Sequence, residues 1–169
     1  NLPKILELTL FNGVDPMTGK RLGPATGEAA SFSDFDSFYR AYEEQLHYMT
    51  DIKVKGNQII EGLYARYMPV PLLSCLVDDC ITNGQDYNAG GARYNTSYIQ
   101  GVGIGTLTDS LAAIETLVYK ENKFTLPELV TALRDNFEGH MRLHHLVREK
   151  APRYGKDDAL SLLDVCVIL

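Results

Sequence analysis

Residues 86–111 read DYNAGGARYNTSYIQGVGIGTLTDSL, and the rest of the chain is organised around this stretch. The paired glycines Gly90 and Gly91 predict a tight turn. The run from Ala92 to Ile99 is rich in tyrosine and threonine, as β-strands are. Alternate glycines from Gly101 onward then predict a sharp turn into an apolar helix, because glycine adopts backbone angles that other residues resist. The predicted order is therefore strand, turn, helix.

Gly101, Gly103 and Gly105 could either cradle a phosphate group or permit close packing. The dinucleotide-binding pattern G-x-G-x-x-G requires a glycine where Thr106 stands, and this stretch lacks the Gly-Lys-Ser/Thr of a P-loop. We therefore interpret the glycines as part of a closely packed strand that turns into a helix. On this interpretation, replacement of Gly103 by valine should damage folding rather than ligand affinity.

The composition is that of one domain with an ordinary core, since 45% of the 169 residues are hydrophobic. A net charge of -6, with no run of lysine or arginine, argues against a nucleic acid or an anionic membrane as partner. No apolar run reaches membrane-spanning length, and the start of the chain lacks the features of a signal peptide. The sequence therefore predicts a soluble, cytoplasmic protein.

Three cysteines, Cys75, Cys80 and Cys166, are an odd number, and no two of them form a CxxC pair. They favour a reducing compartment with buried thiols over a disulfide framework. Cys75 and Cys80 lie in helical patterns and are predicted to be inert core residues.

The first half of the chain is patterned as helices. One short helix is predicted to end at Asn12-Gly13. A second opens at 31–33, and its apolar stripe continues across Gly56, as one long helix or as two in line with a bend. Pro69 and Pro71 end it, because proline and the residue before it are disfavoured in helices.

Three further helices are predicted. Residues 72–82 are apolar on nearly every side, which is typical of a helix buried all round. After the central strand, a helix can be capped by Thr106 or Thr108. The last helix begins with a capping box formed by Thr125 and Glu128.

Two clusters raise the question of a metal site. Asp78 and Asp79 are adjacent carboxylates that diverge on a helix, so capping or a buried ion pair is favoured over metal ligation. His140 and His144 are predicted one turn apart on the last helix, which also holds His145. Position 141, however, is methionine, where the H-E-x-x-H zinc pattern requires glutamate. We predict a solvated polar face and no metal.

Four motifs stand in a fixed order along the chain: Asn12–Pro16 (NGVDP), Gly90–Asn95 (GGARYN), Thr108–Ile114 (TDSLAAI) and Ala151–Asp158 (APRYGKDD). In their order and spacing, from Asn1 to about Asp158, they resemble the glycyl radical enzymes. The subgroup that they resemble most is the dehydratases, particularly those that act on trans-4-hydroxy-L-proline.

The resemblance implies a mainly α fragment with one or two strands, a piece of the family's ten-stranded α/β barrel. Residues 1–158 would form an internal segment of barrel wall and outer helices. Residues 159–169 depart from the family and are interpreted as a truncated or frame-shifted tail. Asn1 is not an initiator residue, so the chain is expected to start within a longer protein or after processing.

In this family, a separate iron–sulfur activating enzyme uses S-adenosylmethionine to make a glycyl radical, which oxidises a cysteine to a thiyl. The thiyl removes a hydrogen atom from the substrate, and in the dehydratases a glutamate assists loss of water. The required Gly-Cys-x-Glu and Arg-Val-x-Gly loops are missing from this sequence, and Ile168 stands where the glutamate would follow Cys166. No catalytic residue, cofactor ligand or metal ligand is therefore assigned to this segment.

The resemblance leaves three residues, Arg93, Tyr94 and Asn95, as candidates for the neighbourhood of a substrate pocket. Arginine paired to a carboxylate and asparagine satisfying a turn are their structural alternatives. The implied partners are the remainder of the parent barrel, a second copy in a homodimer, and the activating enzyme.

Three functions stay open from sequence. The chain could belong to a dehydratase that eliminates water from a small hydroxylated substrate such as 4-hydroxyproline. It could instead belong to an acyltransferase of the pyruvate formate-lyase kind. It could also be a non-catalytic, truncated helical module that at most binds a partner. In every case the isolated chain is expected to be inactive, because it lacks both radical loops.

Overall fold

The computed structural model describes residues 1–153, which are mainly helical, as predicted. They divide into two compact units. Unit 1 contains Asn1–Met49 and the chain from Gly101 onward, and unit 2 is Thr50–Gln100. The helices are α1 (Leu2–Leu10), α2 (Phe35–Tyr67), α3 (Pro71–Leu76), α4 (Cys80–Asn83), α5 (Ile104–Ile114, continued by a π-helix over Glu115–Lys120), α6 (Leu126–Arg134) and α7 (Met141–Lys150).

The strand predicted from Ala92 to Ile99 is wrong. Residues 1–153 contain no β-strand, and their bridging is limited to an isolated antiparallel pair, Val14 and Arg21. Tyrosine and threonine favour extended backbone, but a strand also needs a neighbour that takes its backbone hydrogen bonds. At Arg93 the backbone N–H instead donates to the carbonyl of Asp78, which lies between two helices.

Unit 1 has a continuous apolar core. The predicted stripe of α2 contributes to it, and so does the predicted inward face of α5. α1 ends at Asn12 (φ 52°) and Gly13 (φ 78°), as the sequence predicted. Its start is tied to the α5 turn, because the N–H of Leu2 donates to the carbonyl of Val102 at 2.9 Å. The buried members of this core are Leu2, Ile5, Leu6, Leu10, Phe38, Tyr42, Leu46, Leu107, Leu111, Ile114, Val118, Leu126 and Leu129.

α2 is one helix rather than two, and it passes through Gly56 without interruption. At its start, the Asp34 carboxylate accepts a hydrogen bond from the N–H of Ser37 at 2.8 Å, which satisfies one of the free donors of the first turn. It ends at Tyr67, just before Pro69 and Pro71, as predicted.

Three helix predictions need correction. Residues 72–82 form two short helices, because Asp79 has φ 75°. Most of their apolar side chains are exposed, Leu72 by 78%, although Cys80 is buried. The N-cap of α5 is Gly103, while Thr108 bonds back to the carbonyl of Ile104 inside the helix. The last helix is interrupted between α6 and α7, because Asn136 and Phe137 adopt left-handed backbone angles.

The capping box at the start of α6 is confirmed. The Thr125 hydroxyl accepts from the N–H of Glu128, and the Glu128 carboxylate accepts from the N–H of Thr125 at 2.6 Å. The hydrogen bonds that the Glu128 carboxylate accepts from the backbone N–H and from the hydroxyl of Thr125 hold the pKa of Glu128 below its ordinary value. Among residues 1–153, no helix is long and apolar enough to cross a bilayer.

Asp15 closes the loop after α1. Its buried carboxylate accepts from Lys4 Nζ at 2.7 Å, from the Thr18 hydroxyl at 2.5 Å and from the N–H of Met17 at 3.3 Å. The hydrogen bonds from Lys4 and then Thr18 lower the pKa of Asp15 to about 2. Because the folded-state pKa is lowered, folding gains stability from this carboxylate above its unfolded pKa and loses it as pH falls towards 2.

We expect the urea midpoint of the wild-type chain to fall between about pH 4 and pH 2. Asp15→Asn should flatten that part of the curve, because the substituted amide does not titrate. Asp36→Asn is the matched control, since Asp36 lies exposed in the first turn of α2. Urea denaturation at a series of pH values checks this. If Asp15→Asn and wild type lost stability in parallel over that range, Asp15 would not be the titrating group.

Candidate functional site

The three candidate residues Arg93, Tyr94 and Asn95 lie in unit 2, just after the Gly90-Gly91 turn. The Arg93 guanidinium binds Asp79 in a two-pronged pair, with Nε 2.7 Å from Oδ2 and Nη2 3.0 Å from Oδ1. Asp78 is a more distant partner, at 3.9 Å from Nη1. The hydrogen bonds from Arg93 lower the pKa of Asp79, and the same pair raises the pKa of Arg93.

The ion pair predicted for Asp78 and Asp79 is therefore present, although it is not buried. In the close pair, the side chains of Arg93 and Asp79 are exposed by 53% and 32%. Solvent screens a pair in this position, so we assign its role to geometry rather than to stability. The pair fixes the direction in which the chain leaves the Gly90-Gly91 turn.

Asp86 ties together the two ends of the α3–α4 region. Its carboxylate accepts from the N–H of Val70 at 2.9 Å, the Ser74 hydroxyl at 2.8 Å and the N–H of Asn88 at 2.9 Å. Burial acts to raise the pKa of Asp86, but the hydrogen bonds from Ser74, Asn88 and Val70 outweigh it and hold the pKa below its ordinary value. The charged form is thus the one that organises this loop.

The turn itself is closely packed against backbone. A Cβ at Gly91 would lie 2.0 Å from the carbonyl oxygen of Gln85, so only glycine fits. The Asn83 side chain donates to the carbonyl of Gly91 at 3.0 Å and secures the turn from the other side. Together with Asp86, these contacts position the residues that follow.

The structure places the three candidates differently. Arg93 is paired as described, and the Asn95 amide donates to the carbonyl of Ala92 at 3.3 Å, so both have the structural contacts named as their alternatives. The Tyr94 side chain is 83% exposed. The sequence did not predict the hydrogen bond between Asp86 and Ser74. These residues are 12 positions apart, so no local sequence pattern indicates that they meet.

We expect Asp86→Ala to increase amide exchange in residues 85–91 at least about tenfold, because three donors lose a charged acceptor. Asp78→Ala is the matched control, because Asp78 is exposed and only distantly paired. Hydrogen–deuterium exchange with mass spectrometry measures both. Equal exchange in the two variants would show that Asp86 does not organise the loop.

The thiols differ in exposure. Cys80 is buried at 2% exposure, and burial, with further contributions from Asp86 and Asp79, raises its pKa, so it is an unreactive core thiol. Cys75 is exposed, which corrects the prediction that it is buried, because the chain places no cover over that face of α3. Cys166 lies outside the described residues.

His140 and His144 lie one turn apart, as predicted, since the N–H of His144 donates to the carbonyl of His140 at 3.0 Å, but their side chains have separate partners. His140 precedes α7 and lies 3.3 Å from an Asp135 carboxylate oxygen, while the His144 ring packs at 4.9 Å from that of Phe137. Among residues 1–153, no group of three or more His, Cys, Asp or Glu side chains is arranged to hold a metal ion.

Unit 1 contains a cavity of about 740 Å³ between α1, α5 and α6. Its walls are mainly apolar, and its two cations already have partners. Lys4 pairs with Glu7 and Asp15, and the Arg134 guanidinium lies 5.7 Å from the centre of the Phe11 ring. The cavity can accept apolar groups.

Comparison with known proteins defines the relationship. The sequence pattern of the Pyruvate formate lyase-like family matches residues 1–161. A trans-4-hydroxy-L-proline dehydratase from Clostridioides difficile is 54% identical over 158 residues, which are 94% of this chain and 20% of that protein.

Two solved structures are similar over nearly the whole chain. A hydroxyproline dehydratase from Clostridioides difficile, with trans-4-hydroxy-L-proline bound, has a TM-score of 0.90 and 51% identity, over 99% of this chain and 21% of that one. A B12-independent glycerol dehydratase from Clostridium butyricum has a TM-score of 0.85 and 36% identity, over 94% and 20%. The chain thus spans about a fifth of the length of these relatives. With the family pattern matching nearly its whole length, the chain belongs to the Pyruvate formate lyase-like family, the glycyl radical enzymes that its motifs resemble.

Proposed function

We propose that this chain is part of a glycyl radical dehydratase whose substrate is trans-4-hydroxy-L-proline. The observation that carries the proposal is the 54% identity to a hydroxyproline dehydratase, against 36% to a glycerol dehydratase of similar fold. Residues 1–158 would be a segment of the barrel wall and outer helices, and 159–169 a divergent tail. The whole protein would act in the cytoplasm, as a homodimer, with its activating enzyme as partner.

The proposed reaction removes one water from the substrate. A thiyl radical elsewhere in the protein takes a hydrogen atom from the ring carbon next to the hydroxyl-bearing carbon. The hydroxyl then leaves as water with a proton from an acid, and return of the hydrogen atom from the thiol to the ring restores the thiyl. Loss of a proton from the ring nitrogen restores the acid. The product is a pyrroline carboxylate. The described segment contributes no group to these bond changes and supplies rigid support for the site.

The test is an anaerobic assay of the full-length protein that contains this sequence, activated with its activating enzyme and S-adenosylmethionine. We expect trans-4-hydroxy-L-proline to lose one water, as measured by mass spectrometry, and a glycine-centred doublet to appear in electron paramagnetic resonance. Protein without activating enzyme is the control. Exclusive turnover of glycerol, or formation of acetyl-coenzyme A from pyruvate, would contradict the proposed substrate.

The isolated 169-residue chain should show neither activity nor radical after the same treatment. Its sequence lacks both loops on which the radical chemistry depends. A glycine-centred doublet on this chain would show that a radical site had been missed.

We further propose that Arg93, Tyr94 and Asn95 lie beside the substrate pocket of the full-length enzyme. Tyr94 is the best probe, because its side chain is 83% exposed in this chain and is therefore available to line a pocket. Tyr94→Phe should raise KM for hydroxyproline several-fold with little effect on the melting temperature. Tyr98→Phe is the matched control, with the same 83% exposure four residues later. Equal kinetics in both variants would remove Tyr94 from the pocket.

A further inference from the structure

The half of α2 that lies in unit 2 carries an apolar stripe that this chain leaves uncovered. Ile52, Gly56, Ile59, Leu63 and Tyr67 recur at intervals of four, three, four and four, so they share one face of the helix. The exposed fractions of the side chains are 50% for Ile52, 65% for Ile59, 51% for Leu63 and 63% for Tyr67. Contiguous apolar exposure of this kind marks a surface that contacts another part of a protein.

The other side of the same helix already has a partner. Glu61 lies nine positions after Ile52, about 180° around the helix axis. Its carboxylate accepts from the Ser97 hydroxyl at 2.5 Å, which places the extended segment before Gly101 on that side. The stripe therefore faces away from the part of unit 2 that could cover it.

Unit 2 has no apolar core of its own to compensate. Between Thr50 and Gln100, the buried apolar residues are Cys80 and Ala92, whereas the large apolar cluster of this protein is made of unit 1 residues. The exposed face continues after the helix, where Leu72 and Leu76 are 78% and 77% exposed. A region with this balance of exposed and buried apolar surface depends on contacts from outside.

Gly56 in the middle of the stripe indicates close contact. Glycine in a helix interior is unfavourable relative to alanine. Nothing in this chain lies within 4 Å of the position that a Cβ at Gly56 would occupy, so this chain does not itself require a glycine there. A second element that crosses the helix at Gly56 would require it, because a missing side chain allows the two backbones to approach.

We propose that this stripe, Ile52 to Tyr67, is the surface on which the remaining polypeptide of the full-length protein packs, with its closest approach at Gly56. The inference rests on the proposed function only in requiring that longer protein. The hydroxyproline dehydratase structure matches 99% of this chain, unit 2 included, and has about four-fifths of its own chain outside the match. Polypeptide is thus available to cover a stripe whose own side chains are uncharged, with the Arg66 guanidinium 5.2 Å from the centre of the Tyr67 ring.

The first test compares side-chain accessibility in the 169-residue chain and in the full-length protein. A photo-generated carbene labels exposed side chains, and mass spectrometry locates the label. We expect labelling of Ile59 and Leu63 to be about tenfold or more lower in the full-length protein. Equal labelling in both proteins overturns the proposal. Low labelling in a dimer of the 169-residue chain, with high labelling in full-length protein, would assign the stripe to a second copy and also overturn it.

A pair of variants provides the second test. Gly56→Leu places a side chain in the stripe, whereas Gly62→Leu places one about 120° away, also with nothing within 4 Å. In the 169-residue chain, both should raise helix content in circular dichroism, because leucine favours helix over glycine. In the full-length protein, we expect Gly56→Leu to lower the melting temperature and Gly62→Leu to leave it near wild type. A Gly56→Leu protein as stable as the Gly62→Leu protein contradicts close approach at Gly56.

The outcome is separable from that of the substrate assay. Full-length protein that shields the stripe but does not dehydrate hydroxyproline would refute the proposed function and support the packing surface. Full-length protein that dehydrates hydroxyproline but leaves Ile59 and Leu63 open to label would support the proposed function and refute the packing surface.

Discussion

Phe38→Ala is expected to lower the free energy of unfolding of unit 1 by about 3–5 kcal/mol. Phe38 is fully buried in the core where α1, α2, α5 and α6 meet. Its ring packs edge-on against Phe32 at 5.7 Å and near Phe35 at 6.3 Å, so truncation leaves a cavity bordered by rings that cannot all move in. A loss of this size is a large fraction of the stability of an ordinary domain.

Urea denaturation followed by circular dichroism measures this loss. Phe38→Leu is the control, because it keeps most of the apolar volume and should lose distinctly less than the alanine variant. A loss below about 1 kcal/mol for Phe38→Ala would mean that residue 38 is not central to the core.

The second large effect is expected at Gly103, the N-cap of α5. Its φ of 91° is in the left-handed region, and a Cβ there would lie 2.6 Å from Cδ and 2.9 Å from Cγ of Pro3. Gly103→Val should therefore cost about 2–5 kcal/mol, combining overpacking with the backbone strain of a branched residue at this φ. It would also separate Val102 from its hydrogen bond with Leu2.

Thermal unfolding of the full-length protein, with and without nucleotides, tests this prediction against the phosphate-cradle alternative. Gly105→Val is the matched control, because Gly105 lies within α5 with nothing within 4 Å of its Cβ position. The close packing expected from sequence is thus present at Gly103 and not at Gly105. An unchanged melting temperature for Gly103→Val, with loss of nucleotide affinity alone, would contradict the packing interpretation.

Local signals in the sequence were read correctly where the structure depends on neighbours in the chain. The capping box at Thr125 and Glu128 uses hydrogen bonds three residues apart. The stop at Asn12 and Gly13 depends on residues that tolerate left-handed backbone. The first part of the amphipathic stripe of α2, from Phe35 to Met49, follows the helix period, and its residues line the core of unit 1.

The wrong secondary-structure predictions share one physical cause, which is contact between residues that are distant in sequence. The stretch from Ala92 to Ile99 has strand composition, but pairing depends on a neighbour that composition cannot show. The break at Asn136 and Phe137 depends on two consecutive left-handed residues, one of them aromatic, which no propensity favours. The apolar pattern of residues 72–82 predicts that they are buried, but it does not show which polypeptide segment buries them.

The candidate site divides in the same way. The pairing of Arg93 with an acidic neighbour followed from residue types, and the family relationship followed from the Gly90–Asn95 motif. Asp86 was missed because its acceptor role is set by Val70 and Ser74, on the far side of two short helices. Residues that organise a loop through backbone donors leave little trace in a single sequence.

The discontinuity of unit 1 has a consequence for synthesis on the ribosome. Its core joins Leu2 and Phe38 to Leu126 and Leu129, residues made at opposite ends of the described chain. The apolar faces of α1 and α2 lack their α5 and α6 partners while all of unit 2 is translated. Closing so long a loop is slow, and the apolar surface of these helices stays exposed to solvent until the loop has closed. The nascent chain is therefore expected to keep apolar surface exposed until α6 has emerged.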